Sequence, residues 1–192
     1  MRRMLRALFL LGVAVPTANL YAQSSRANSS EVDVAVTYNA MRSSLIAGGS
    51  FWQQGGGVDL SATFYHGFGA VANIAGARVS NINRTGVNLT MVTELFGPRY
   101  TWTTKSGRVA IFGQELIGEA NGLDSVFTSP QGALSSSNSL ALLSGGGMDI
   151  RLSKHLAVRA LEAGWLRTQL PNAGSNVQNI LTLGGGAVFR LP

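Results

Sequence analysis

The sequence predicts an all-β fold, an eight-stranded antiparallel up-and-down transmembrane β-barrel. Three observations predict it. Apolar and polar residues alternate along stretches of about ten residues, the number that crosses a bilayer at a tilt. Only 12% of the residues are charged while 45% are hydrophobic. Short connections alternate with longer ones along the chain, as they do when turns lie on one side of a membrane and loops on the other. A water-soluble globular domain carries charge nearer ~25%, and the apolar content is too high for a disordered chain. Beyond residue 22 no apolar run approaches the ~20 residues of a transmembrane helix. A closed barrel is the remaining way to pair every backbone group inside hydrocarbon.

The elements follow in order. Residues 1–22, MRRMLRALFLLGVAVPTANLYA, have the form of a secretory signal peptide: Arg2, Arg3 and Arg6, then the apolar Ala7 to Val15, then a cleavage site at Leu20-Tyr21-Ala22. Residues 23–30 are polar and serine-rich, a flexible leader, and residues 31–192 form the barrel domain. The first strand, Glu31 to Ala40, sets Val32, Val34, Val36 and Tyr38 against Asp33, Ala35, Thr37 and Asn39. Met41 to Gly55 is polar and glycine-rich and reads as a long loop. The second strand runs from Gly56 to Tyr65, and His66-Gly67 is a two-residue turn signal. The third strand, Phe68 to Val79, is rich in alanine and glycine, which leaves its facing open. A loop to Gly86 precedes the fourth strand, Val87 to Trp102. A turn over Thr103 to Gly107 leads to the fifth, Arg108 to Glu119, and the longest loop spans Ala120 to Asn138. The sixth and seventh strands fold back on each other at Ser153-Lys154-His155, and Met148, Ile150 and Leu152 face opposite Asp149 and Arg151. After a loop from Leu170 to Val177, the eighth strand runs from Gln178 to Leu191. Aromatic residues form two bands, with Tyr38, Trp52 and Trp165 at the external ends and Tyr65, Phe68, Tyr100, Trp102 and Phe189 at the periplasmic ends.

Several function classes are excluded or weakened. The signal peptide holds three of the 15 basic residues, so the barrel has only a small excess over its 9 acidic ones, and a nucleic-acid role loses its electrostatic support. There is no cysteine, hence no disulfide scaffold, thiol nucleophile or cysteine metal site. No cofactor is expected. Three glycine triplets, at Gly55, Gly145 and Gly184, lack the Lys-Ser/Thr and helix of a phosphate loop. They suit the bending of a small barrel. Asn83-Arg84-Thr85 and Asn88-Leu89-Thr90 match a glycosylation pattern by chance. A lipid-editing enzyme needs a histidine base near the outer leaflet. His66 and His155 are both assigned to periplasmic turns, so no enzyme is expected.

GGGMDIRLSKHLAVRALEAGWLRT (Gly145 to Thr168), ELFGPRYTW (Glu94 to Trp102) and LTLGGGAVFRL (Leu181 to Leu191) resemble the outer-membrane β-barrel family, related to the eight-stranded OmpA-like transmembrane domain. The resemblance spans nearly all of the barrel region. It implies insertion into outer-membrane lipid by the outer-membrane assembly machinery. The OmpA pattern adds a periplasmic peptidoglycan-binding domain, which does not follow the barrel here, so no cell-wall tether is expected. The terminal assembly signal of such barrels is an aromatic residue, and here Phe189 stands three positions in from Pro192.

With apolar faces toward lipid, Asp33, Asp59, Asp149, Arg151 and Arg190 point into the lumen. Arg99 joins them, as does Glu115 if its strand has the matching parity. An eight-stranded barrel is just wide enough for side chains to fill, so these charges should pair and plug it. Arg159 and Glu162 are three residues apart and cannot both face the lumen of a regular strand. A β-bulge between them, or a boundary position for Glu162, is expected. The expected role is therefore structural, or loop-mediated binding of an external ligand or surface, by a monomer. A narrow pore and a secreted lipocalin-like carrier, with Val32, Val34 and Val36 turned inward, are the alternatives.

Overall fold

The computed structural model describes residues 31–44, 48–129, 132–172 and 176–191. The signal peptide and leader lie outside the described residues. The strands are β1 (Glu31–Ser44), β2 (Ser50–Tyr65), β3 (Phe68–Val79), β4 (Leu89–Thr103), β5 (Val109–Leu123), β6 (Phe127–Ser129), β7 (Gly132–Leu134), β8 (Ser137–Arg151), β9 (Leu156–Thr168) and β10 (Gln178–Leu191). Eight of them close into one barrel in the order β1-β10-β9-β8-β5-β4-β3-β2, every pair antiparallel. β6 and β7 form a separate small hairpin within the β5–β8 connection. Closure rests on β1 against β10, paired from Val32 with Leu191 to Ser43 with Ile180. Thus no strand of the wall is left as an edge.

The two-residue turn at His66-Gly67 forms because both residues take positive φ, 44° and 88°, the geometry of a tight hairpin. The facing of the wall follows the alternation. Val36 and Tyr38 point outward while Ala35 and Thr37 are buried inside. The inward valines that a soluble carrier requires are not found, since Val36 is 50% exposed. β3 turns Ala70, Ala72 and Ile74 outward and buries Val71, Ala75 and Ala77.

The chemistry of the two faces exchanges along the barrel's height. Toward the periplasmic turns the exterior is apolar: Val58, Leu60, Phe64, Phe96, Tyr100, Trp102, Ile111, Val158 and Phe189 are all exposed. Toward the external end the exposed wall residues include Arg42, Gln54, Arg78, Glu94, Glu119 and Arg167, while Met41, Phe51, Met91, Leu166 and Ile180 are buried inside. The lower exterior is thus apolar, whereas the upper exterior mixes these polar residues with the exposed Trp52, Leu140, Leu142, Trp165 and Leu181. Polar contacts hold that upper exterior: Arg42 donates to Ser50 Oγ at 3.1 and 3.2 Å, Tyr38 to Gln54 Oε1 at 2.9 Å, and Trp165 Nε1 to Asn179 Oδ1 at 3.1 Å.

This exchange corrects three expectations. The long loop from Met41 to Gly55 is mostly strand, because β1 continues to Ser44 and β2 starts at Ser50, so the connection is only residues 45–49. Of its polar residues, Arg42 and Gln54 are exposed on the outer wall, while Ser43 and Gln53 are buried inside and hydrogen-bond to each other. Tyr38 therefore sits in the middle of β1 rather than at its external end. The longest loop is shortened from both sides by β5 and β8 and contains the β6–β7 hairpin. Connection length still sorts partly by end, with residues 80–88 and 169–177 on the external side and 66–67 and 152–155 on the other.

Two substitutions test the zones. Leu60→Arg places a cation in the apolar belt and is expected to cost about 2–4 kcal/mol, read as a lowered urea midpoint in lipid vesicles. Glu119→Ala, on the upper exterior, is expected to stay within about 0.5 kcal/mol of the parent. Equal effects at the two positions would contradict the assignment.

Candidate functional site

The lumen is layered, and cross-strand neighbours build its polar layers. At the periplasmic mouth Asp33 faces Arg190 across the β1–β10 seam. Arg190 Nε lies 2.9 Å from Asp33 Oδ1 and Nη2 donates to Oδ2 at 3.2 Å. Glu31 extends this group, 3.7 Å from Arg190 and 3.9 Å from Arg151. Above it Ala35, Ala157 and Val188 make a thin apolar layer.

The central layer holds Asp59, Arg99, Asp149, Arg159 and Glu162. Asp59 is 1% exposed and Arg159 2%. Asp59 Oδ2 receives Arg99 Nη2 at 2.9 Å and also Arg159 Nη1, and Oδ1 accepts from Asn73 Nδ2 at 2.6 Å. Arg159 Nε donates to Asp149 Oδ1 at 3.0 Å and Nη1 to Glu162 Oε2 at 2.9 Å. Gln114 links the two arginine systems: its Oε1 accepts from Arg99 Nε at 2.8 Å and its Nε2 donates to Glu162 Oε1 at 3.2 Å. The Phe112 ring lies between both guanidinium groups, 4.3 Å from Arg99 Cζ and 4.5 Å from Arg159 Cζ. Cation–π contact of this kind is strongest where water is excluded. Gly147 makes room for that ring, since a Cβ there would meet its edge at 2.7 Å.

Arg159 and Glu162 share the lumen because β9 bulges. Met148 pairs with Leu161 but Asp149 pairs with Arg159, leaving Ala160 as the extra residue, and β10 slips in register between Gly184 and Gly186 opposite it. The bulge, of the two resolutions expected, is the one the fold uses. Each polar centre also lies on a register pair: Asp59 with Asn73, Arg99 with Gln114, and Asp149 with Arg159.

Of the residues expected in the lumen, Asp33, Asp59, Arg99, Asp149, Arg151, Arg159 and Arg190 face inward, in two separate groups rather than one network. Glu115 is the correction. β5 buries Phe112, Gln114 and Leu116, so its odd-numbered neighbour points outward, where Glu115 Oε1 accepts from Ser144 Oγ. Asn73, Phe112 and Gln114 were not anticipated, because the facing of the third and fifth strands was open and an aromatic gave no sign of sitting between two arginines.

Above the ion layer lies a void of about 30 Å³ bordered by Asn39, Asn73, Gln114 and Glu162, then an apolar layer including Met41, Met91, Leu95, Leu116, Leu166 and Ile180. His66 and His155 lie in separate turns at the opposite end. Among the described residues no group of three or more histidine, aspartate or glutamate side chains is placed to hold a metal. An ion layer closed on itself can hold strands together and block passage, and it offers no nucleophile paired with a base.

The sequence matches no protein-family model and no curated protein. Solved structures do resemble the fold. Ail, the attachment invasion locus protein of Yersinia pestis, superposes with a TM-score of 0.60 at 16% identity, over 85% of this chain and 99% of that one. Ail in complex with the heparin analogue sucrose octasulfate gives 0.57 at 16% identity, with the same shares. Neisserial surface protein A, NspA, gives 0.63 at 12% identity, over 83% of this chain and 97% of that one.

Removing the central anion should be costly. Asp59→Ala leaves Arg99 and Arg159 facing each other without their shared counter-charge, and a loss of about 3–5 kcal/mol is expected. The readout is the urea midpoint of the refolded barrel, with heat-dependent gel mobility as the fold check. A change below about 1 kcal/mol would show that the layer contributes little to stability. With a closed ring of eight antiparallel strands, an apolar lower exterior and these structural relatives, the chain has the fold of the eight-stranded outer-membrane β-barrels.

Proposed function

We propose that the chain is a non-conducting barrel of the outer membrane. It is secreted by residues 1–22, inserted as a monomer by the outer-membrane assembly machinery, and anchored by the apolar belt. The upper zone stands above the bilayer and presents external connections to a ligand or surface. No catalytic step is assigned to it.

One observation carries this reading: the lumen is filled by successive layers. The Asp33–Arg190 group, the Asp59–Arg99–Arg159 cluster and the apolar layer follow one another along the axis. An ion crossing would have to break buried ion pairs and then enter a layer with no charged side chain. Both steps are costly. The filled lumen also supports a structural role, since a packed interior stabilises a wall that is otherwise only one strand thick. That Ail has been solved with sucrose octasulfate supports ligand binding by a barrel of this fold.

Planar-bilayer recording of the purified protein tests the plug. No discrete conductance steps are expected, either for the parent or for Arg99→Ala, because the apolar layer above the ion cluster remains. Discrete steps in the parent, with selectivity altered by Arg99→Ala, would overturn the proposal and establish the narrow pore.

A further inference from the structure

The external mouth of the barrel contains a cavity of about 400 Å³, within the ~300–1,000 Å³ typical of small-molecule sites. Three external connections and the strand ends beside them wall it. Phe51 comes from β2, Ile82 and Val87 from the β3–β4 connection, Val126 and Phe127 from the start of the β6–β7 hairpin, and Pro171 from the β9–β10 connection. Among the described residues no aspartate, glutamate, lysine, arginine or histidine lines it. Five polar residues border the cavity: Thr85 and Asn172 are engaged in hydrogen bonds, while the side chains of Ser44, Ser125 and Gln178 hydrogen-bond to no other described residue.

These walls are held in place. Phe127 is 4% exposed, and its ring lies against Gly122 so closely that any Cβ there would collide with it. Ile82 is buried at the tip of a tight turn in which Asn81, Asn83 and Arg84 take left-handed φ of 53°, 46° and 65°. The hydroxyl of Thr85 donates to Ile82 O at 2.7 Å and closes that turn. The floor is the apolar layer itself, since Phe51, Ile82, Leu89 and Phe127 belong to the same buried cluster as Met41 and Ile180. A preformed apolar hollow opening to water is unfavourable while uncovered. Its chemistry also selects what covers it. A charged group would lose hydration without an ion-pair partner, whereas an apolar body with one polar group matches both walls and rim.

We propose that this mouth cavity binds an uncharged small molecule with an apolar body and a hydrogen-bonding group. The body rests against Phe51, Ile82, Val87 and Phe127, and the polar group meets Gln178 and Ser125. The inference rests on the external-binding reading above and gives it a ligand class. The sealed floor makes the cavity an end point for the ligand rather than a vestibule.

The test uses the barrel in phosphatidylcholine nanodiscs, titrated with 1-naphthol while methyl resonances are followed by NMR. Ile82, Val87 and Val126 are expected to shift saturably, while lipid-facing Val58 and Leu60 change only in proportion to partitioning. The sulfonate of the same ring system should bind about tenfold more weakly or worse. Gly122→Leu drives the Phe127 ring from its seat into the cavity, and Val87→Trp fills the cavity from another wall. Each should weaken 1-naphthol binding at least about tenfold, with heat-dependent gel mobility confirming a folded barrel. Mouth methyls that merely track Leu60, equal binding of the sulfonate, or folded variants of both kinds that bind like the parent would each overturn the proposal. An open lumen is detected separately by conductance, so failure of the plug and failure of the mouth site give different results.

Discussion

Everything in this structure depends on the seam between β1 and β10. A sheet in hydrocarbon cannot leave a row of N–H and C=O groups unpaired, and only ring closure removes both edges. Pairing Asp33 with Arg190 and Val36 with Ala187 across the seam completes the ring. It brings residues 157 positions apart into hydrogen-bond contact. The seam also determines the lumen, because a ring of eight strands is just wide enough for side chains to fill. Once the ring closes, the inward residues pack against and pair with one another.

The partners found differ along the axis, and the difference follows the solvent outside. Where the exterior is Val58, Leu60 and Phe96, the inside carries Asp59, Arg99 and Arg159. Where the exterior is Arg42, Gln54 and Glu119, the inside is Met41, Phe51 and Met91. In the lower zone the apolar faces are spent on lipid, leaving polar residues to satisfy one another within. In the upper zone the outer wall carries charged as well as apolar residues, and a largely hydrophobic core fills the inside. In the proposed role the lower zone anchors the barrel, and the upper zone encloses a largely apolar core that opens at the top between the connections. The proposed role follows from that division of labour. In that proposed role a plugged anchor raises a preformed hollow out of the membrane.

The ion layer shows how a buried charge cluster can be tolerated. Three carboxylates and two guanidinium groups are bridged by Gln114, Asn73 and the Phe112 ring, so the charges are paired and most remaining donors and acceptors are occupied. Buried pairs are retained at a solvation cost, and here the cost is met by geometry. The β9 bulge lets a single strand contribute both Arg159 and Glu162 to the same layer.

Much of this was legible in the amino-acid order. Strand number, antiparallel order, the His66-Gly67 turn and the inward set of Asp33, Asp59, Arg99, Asp149 and Arg190 follow from period-two alternation, because neighbouring side chains of a strand must face opposite sides. The conflict between Arg159 and Glu162 called for a bulge or a boundary position, and the register of β9 shows the bulge. The facing of Glu115 and Asn73 was not legible, since strands of small or mixed residues do not declare which side is inside. The continuation of β1 and β2 beyond Ala40 was hidden for a related reason: alternation states which residues share a face, not which solvent that face meets. Tertiary structure alone decided the exchange of inner and outer chemistry, the joining of Asp59 to Arg99 and Arg159 around Phe112, and the hollow at the mouth. Each arises from residues on separate strands or connections, and only closure of the ring brings them within reach of one another.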